Sequence, residues 1–280
     1  MTSAQQDQVM AIGALGGSGT RAVAQLLINA GVYMGEPLNF ANDNIFFTAC
    51  FMNPAWQGNA TSTEISGRIE IFERHMRQRN VSKHELKTLE RLPYSTSYQY
   101  PPHLFPDLRK QKPFKAALST WGWKEPNTHI YLKDLANYFP QLKYIHVLRH
   151  GLDMAFAKNK KQLLNWGHLF GITVHKNDSE AEISRKQLDY WISSTKRVIE
   201  IGEKYLPGRF YLLKYEQVCK HSATEVPELL KFMNINIQED HSNLHDVFQL
   251  SDGTGRYKLN DLSIFRPEQL KAVEELGFEI

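Results

Sequence analysis

Several groups of residues in this chain have types suited to holding an anion. The first is Gly16-Gly17-Ser18-Gly19-Thr20-Arg21, a glycine turn followed by a hydroxyl and a cation. Glycine lets a backbone come close to a ligand, and free amides at a helix start favour negative charge together with the helix dipole. The ligand expected is a phosphate or a sulfate ester. Further along come Lys124, then Arg149 with Lys158, Lys160 and Lys161, then Tyr215 and Glu216, and finally Gly253-Thr254-Gly255-Arg256-Tyr257-Lys258. Each charge alone reads as a solvated side chain. Gathered on one edge of one sheet, where open α/β folds bind ligands, they make an anion site.

The glycine stretch matches neither common nucleotide loop. G-x-x-x-x-G-K-[ST] needs a lysine that no register supplies, since Arg21 follows Gly19-Thr20. G-x-G-x-x-G fails because the glycines fall at 13, 16, 17 and 19. Taken alone, the turn also fits an ordinary Gly-rich strand-to-helix connection.

Elements must position these groups. The apolar run Val9 to Leu15 reads as a buried strand, and Thr20 opens a helix whose apolar face carries Ala22, Val23, Leu26, Leu27 and Ala30. Further buried strands are expected at Pro113–Leu118, Leu142–Leu148 and Arg209–Lys214. Helices are expected at Thr128–Phe139, Asp153–Leu164, Ala181–Tyr205 and Thr224–Asn234, with Asn127 and Ser222 at or near N-caps. This alternation predicts an α/β fold: one P-loop-type domain over residues 1–280, its central parallel sheet flanked by helices.

Residues 35–112 interrupt the alternation. Helix-like patches at Glu64–Gln78 and Ser82–Leu92 precede a Pro/Tyr-rich run from Pro93 to Pro106. An insertion over about residues 40–112, after the first strand–helix unit and on the ligand side, suits a lid over an acceptor. Its aromatics fit packing onto the sheet equally well. Trp56, Trp121 and Trp123 could stack on a sugar or aromatic ring, or belong to the core.

The whole chain bounds these readings. It has 280 residues, 42% hydrophobic and 22% charged, with a net charge of +3, enough for a large core and too mildly basic to argue for nucleic acid. Two cysteines, Cys50 and Cys219, imply no disulfide framework and point to a reducing compartment, while leaving a single pairing open. No apolar run is long enough to span a bilayer, and MTSAQQDQ lacks a basic signal region, so a cytoplasmic location is expected. The histidines show no metal-ligand spacing, so no metal is expected. Oligomeric state is not legible.

The ensemble resembles the sulfotransferases that use 3′-phosphoadenosine-5′-phosphosulfate (PAPS), especially bacterial and Golgi-type members such as the tyrosylprotein sulfotransferases. The resemblance covers most of the chain outside residues 40–112. It rests on Gly17-Ser18-Gly19-Thr20 after the first strand, Lys124-Glu125-Pro126, Phe139-Pro140, Arg149-His150-Gly151 and Tyr215-Glu216-Gln217-Val218, in that order. Two positions depart from the family pattern. Gly17 stands where a basic residue usually precedes Ser-Gly-Thr, and Ala157 where a serine usually binds the 3′-phosphate.

The resemblance implies in-line sulfuryl transfer from PAPS, leaving the product PAP, to a hydroxyl of a carbohydrate, small molecule or peptide, with no metal required. Gly16, Gly17, Ser18, Gly19 and Thr20 would cradle the 5′-phosphosulfate. Lys124 and Arg21 would stabilise developing charge. Arg149, Lys161, Gly255 and Arg256 would hold the 3′-phosphate, and Tyr215 would lie beside the adenosine. Glu36 and Asp43 are the candidate general bases. A P-loop nucleotide kinase and a non-catalytic module for anionic nucleotides or carbohydrates remain the alternatives.

Overall fold

In the computed structural model, which describes residues 8–77, 81–90, 120–236 and 244–280, one four-stranded sheet organises the chain. Its strands are β1 (Gln8–Ala14), β2 (Thr120–Lys124), β3 (Leu142–Leu148) and β4 (Phe210–Lys214), in the order β2-β1-β3-β4. Every neighbouring pair is parallel. Alternate residues of β1 serve two cores. Val9 and Ala11 join Trp121, Trp123, Leu142 and Tyr144 on one face, while Met10, Ile12 and Ala14 join Ile145, Val147 and Leu213 on the other. Both faces are covered, which is why three of the four strands read as apolar runs.

Helix α1 (Thr20–Asn29) buries Val23, Leu26 and Leu27 in the second core, beside Val226 and Leu229 of the helix Ser222–Phe232. Across the sheet, the 26-residue helix Glu180–Tyr205 starts at a Ser179–Glu182 capping box and buries Leu188, Trp191 and Val198. The architecture is the α/β class expected, a parallel sheet flanked by helices.

The place of Lys124 and two helices differ from expectation. The strand expected at Pro113–Leu118 lies outside the described residues; β2 is Thr120–Lys124, and Lys124 is its last residue rather than part of a following loop. TWGWK has no aliphatic run to mark it, yet Trp121 and Trp123 are buried, and a Cβ on Gly122 would press on the Met10 carbonyl. The helix expected over Asp153–Leu164 is two helices, Gly151–Ala155 and Lys161–Trp166. Lys160 Nζ donates to the Ala155 carbonyl, capping the first, and the Asn159 side chain accepts from the Lys161 amide at 3.0 Å, starting the second. The helix expected at Thr128 begins as a 3₁₀ turn at Pro126 and turns α-helical over Leu132–Tyr138.

The described part of the insertion is helical, at Ile45–Phe51, Pro54–Gln57, Ser62–Met76 and Lys83–Glu90. Phe47, Phe51 and Phe72 pack with Trp121 and Trp123 in one core, so those tryptophans are structural. Trp56, half-buried, lies under the Arg68 guanidinium. The Pro/Tyr-rich run lies outside the described residues. Cys50 and Cys219 are both free. Among the described residues no helix is long and apolar enough to cross a membrane, and no cluster of three metal-ligating side chains occurs.

Candidate active site

The carboxyl ends of all four strands meet on one rim. Gly16 follows β1, Lys124 ends β2, Arg149 follows β3 and Tyr215 follows β4. The chain leaves β1 for β2 on one side and β3 lies on the other, which makes a topological switch point at β1. A cavity of about 750 Å³ opens there, and all four strand ends line it.

The glycine loop is shaped by two residues in the left-handed region, Gly17 at φ 94° and Gly19 at φ 91°. Gly19 has a second constraint, because a Cβ there would run into the ring of Tyr215. The Ser18 amide bonds back to the Leu15 carbonyl at 3.1 Å, and the Gly16 amide donates to Gln162 Oε1 at 2.7 Å. The amides of Gly17, Gly19, Thr20 and Arg21 have no hydrogen-bond partner among the described residues. These are the orphan donors of a helix start, and they belong to residues lining the cavity.

Arg149 is buried at 6% exposure and is held from three sides. It donates to the Gly17 carbonyl at 2.9 Å and to Ser251 Oγ at 2.8 Å, and its guanidinium lies 5.3 Å from the Tyr215 ring centre. Its Nε is buried without a hydrogen-bond partner, with Glu216 Oε1 4.0 Å away. Arg149 also lines the cavity, and a cation there suits an anion.

Lys124 is 1% exposed and forms a salt bridge with Asp43, and its ammonium also donates to the Ala41 carbonyl at 2.5 Å. An Asx turn aims Asp43 at it. Asn39 Oδ1 accepts from the amides of Ala41 and Asp43, while Asn39 Nδ2 donates to Asp43 Oδ2 at 2.8 Å. The next residue, Asn44, donates its amide to the Lys124 carbonyl at 2.7 Å and caps the helix Ile45–Phe51. Burial pulls the Lys124 pKa down, and the neighbouring Asp43 opposes that pull. Glu125, buried and near Asp43, is pushed up to about 8 by burial first and by the Asp43 charge second.

Of the residues singled out in the sequence, Gly16, Gly17, Gly19, Thr20, Arg21, Asp43, Lys124, Arg149, Lys161 and Tyr215 line this one cavity. Ser18 is buried beneath the loop rather than lining it. Glu36 is exposed, does not line the cavity, and accepts a bond from His75 at its carbonyl. Gly255 and Arg256 stand behind the rim. The Gly255 amide donates to Asp153 Oδ2 at 2.7 Å, and Arg256 Nε donates to the Gly253 carbonyl at 2.9 Å. Lys160, which the Arg256 charge reaches, has its pKa drawn down to about 8, chiefly by burial.

Sequence reasoning missed Gln162, Asn39 and Ser251, and took Asn127 only as a helix cap. Each is a lone neutral polar residue in an unremarkable setting, and only the folded chain brings it to the rim. Asn127 sits within the 3₁₀ turn instead of capping it; the cap is Glu125, whose side chain accepts from the Asn127 amide.

A sulfotransferase domain from the Synechococcus PCC 7002 olefin synthase is 11% identical over 98% of this chain and 96% of its own, with a TM-score of 0.47. A Mycobacterium tuberculosis sulfotransferase is 13% identical over 97% of this chain and 77% of its own, at 0.48. One from Alicyclobacillus acidocaldarius is 11% identical over 97% and 91%, at 0.40. No curated protein sequence matches the chain. The sequence model of the sulfotransferase family matches residues 11–239, well over half of the length, and the chain belongs to that family.

Proposed function

We propose that this protein transfers a sulfuryl group from PAPS to an acceptor hydroxyl, with PAP as the product. The observation that carries this reading is the convergence, on one cavity, of four unpartnered loop amides, the buried Arg149 guanidinium and the Lys124–Asp43 pair. A volume of about 750 Å³ lies within the roughly 300–1,000 Å³ typical of small-molecule pockets.

Bound PAPS would supply an activated sulfur–oxygen bond, which breaks at the phosphate as a new one forms to the acceptor. The chain's own residues divide the remaining work. The amides of Gly17, Gly19, Thr20 and Arg21 hold the 5′ end, and the Arg21 side chain adds positive charge. Lys124 neutralises charge growing on the oxygen left behind. Arg149 and Lys161 grip the 3′-phosphate, with Tyr215 beside the adenosine. Gly255 and Arg256 act from behind, bracing the rim and adding positive potential.

Asp43 is the better candidate base. It lines the cavity beside Lys124, whereas Glu36 lies outside, and a carboxylate already bonded to Lys124 and Asn39 still has lone pairs to accept the acceptor's proton. The acceptor is a hydroxyl on a carbohydrate, small molecule or peptide.

Thermal-shift measurements with PAP, ATP with magnesium, and NAD side by side test the donor, followed by PAPS turnover on an acceptor panel. Stabilisation by PAP alone, with turnover, is expected. Stabilisation by ATP with magnesium and not by PAP would point to a kinase. PAP binding without turnover on any acceptor would point to a binding module.

A further inference from the structure

Along the wall of the cavity runs a largely buried chain of hydrogen bonds, through Glu125, Asn127 and Gln162, to which the roles above assign nothing. The Gly16 amide donates to Gln162 Oε1 at 2.7 Å, Gln162 Nε2 donates to Asn127 Oδ1 at 2.6 Å, and Asn127 donates through its backbone and side-chain nitrogens to the two Glu125 oxygens at 2.7 and 3.0 Å. All three side chains are buried, at 3%, 1% and 6% exposure for Glu125, Asn127 and Gln162. The polarity is fixed from the loop end. The Gly16 N–H can only donate, so Gln162 turns Oε1 to it and Nε2 to Asn127 Oδ1, which leaves Asn127 Nδ2 to donate to Glu125.

We propose that Glu125, Asn127 and Gln162 form a positioning relay that sets the glycine loop against the Lys124–Asp43 pair. The relay joins the ends of the two strands that carry the two halves of the site. Gly16 follows β1, and Glu125 directly follows Lys124 at the end of β2, while Gln162 reaches in from the helix Lys161–Trp166. By taking up the Gly16 amide, Gln162 fixes where the loop leaves its strand and leaves the amides from Gly17 onward for the ligand. By occupying both oxygens of Glu125, Asn127 keeps that carboxylate on its own partner beside the Lys124–Asp43 bridge. Three bonds in line polarise one another in a dry setting, so the relay acts as a unit. None of the three is a catalytic residue; they act through the loop and the lysine.

In its catalytic consequence this rests on the sulfotransferase reading, so the test has one arm that does not. In ligand-free protein, Gln162→Met and Asn127→Leu should each speed amide hydrogen exchange in the peptide covering residues 14–20 by about tenfold or more, while the exposed control Lys231→Ala should not. In the PAPS assay the same variants should lower kcat by about tenfold or more, with PAP affinity falling by a clearly smaller factor. The double variant should be no slower than the slower single one. Unchanged exchange, losses that multiply, or PAP affinity falling in step with kcat would each overturn the relay. If the wild-type protein neither binds PAP nor turns over PAPS, the functional reading fails, and the exchange arm still decides whether the relay exists.

Discussion

Arg149 donates to the Gly17 carbonyl at 2.9 Å, so the residue just after β3 holds the glycine loop that follows β1 by its backbone. One buried guanidinium thereby shapes the loop and lines the cavity beside it.

Arg149→Ala should therefore weaken PAP binding strongly. Loss of a charged hydrogen bond costs about 1.5–3 kcal/mol, or roughly 10- to 100-fold in affinity. Lys124→Ala should leave PAP affinity within about threefold and chiefly slow turnover. Calorimetry with PAP and a PAPS assay separate the two, and equal effects of both variants on both measurements would refute the assignment.

Two loop glycines should differ in how they tolerate a methyl group. Gly17 and Gly19 share a left-handed φ, so alanine at either costs about 1 kcal/mol or more in backbone strain. At Gly17 the added carbon meets nothing within 4 Å, whereas at Gly19 it strikes the Tyr215 ring. Gly19→Ala should accordingly lower the melting temperature further than Gly17→Ala. The reverse order would mean that the loop and Tyr215 do not pack as described.

Asp43→Asn should cut turnover by roughly 10²-fold or more, the usual range for a lost general base, with PAP affinity little changed. Glu36→Gln should be near wild type in both. A Glu36 variant as slow as the Asp43 one would transfer the base assignment.

Acid should destabilise the fold through two buried histidines, His146 on β3 and His129 packed against it. Burial pulls the pKa of His129 from 6.5 to about 4, and burial together with the His129 charge pulls His146 well below its ordinary value. Below 6.5 the unfolded chain binds more protons at these sites than the folded one. Their stabilising share is thus complete above that pH and shrinks as pH falls toward 4, by up to about 1.4 kcal/mol per pH unit for each histidine. Urea denaturation between neutral pH and pH 5 measures this. His129→Gln should flatten the profile, and an unchanged slope would exclude His129 as its source.

What the sequence determined by itself was local. An apolar run, glycines at 16, 17 and 19, and an apolar-periodic helix from Thr20 demand a strand, a tight turn and a helix start whatever the rest of the chain does, because left-handed backbone and helix-end amides are properties of a few consecutive residues. Lys124, Arg149 and Tyr215 were legible as rim residues for a related reason: each lies at or just beyond a strand's carboxyl end, and parallel sheets gather those ends. Only the tertiary structure decided what those residues meet. Asp43 reaches Lys124 across 81 positions through an Asx turn, while Glu36, close by in sequence, stays outside the cavity. Gln162 comes to Gly16 across 146 positions. Trp121 and Trp123, open as ring-stacking residues in the sequence, are core because the insertion's phenylalanines pack over them. Contacts of that range depend on how two covered sheet faces and their helices fit together, and no window of neighbouring residues carries that information.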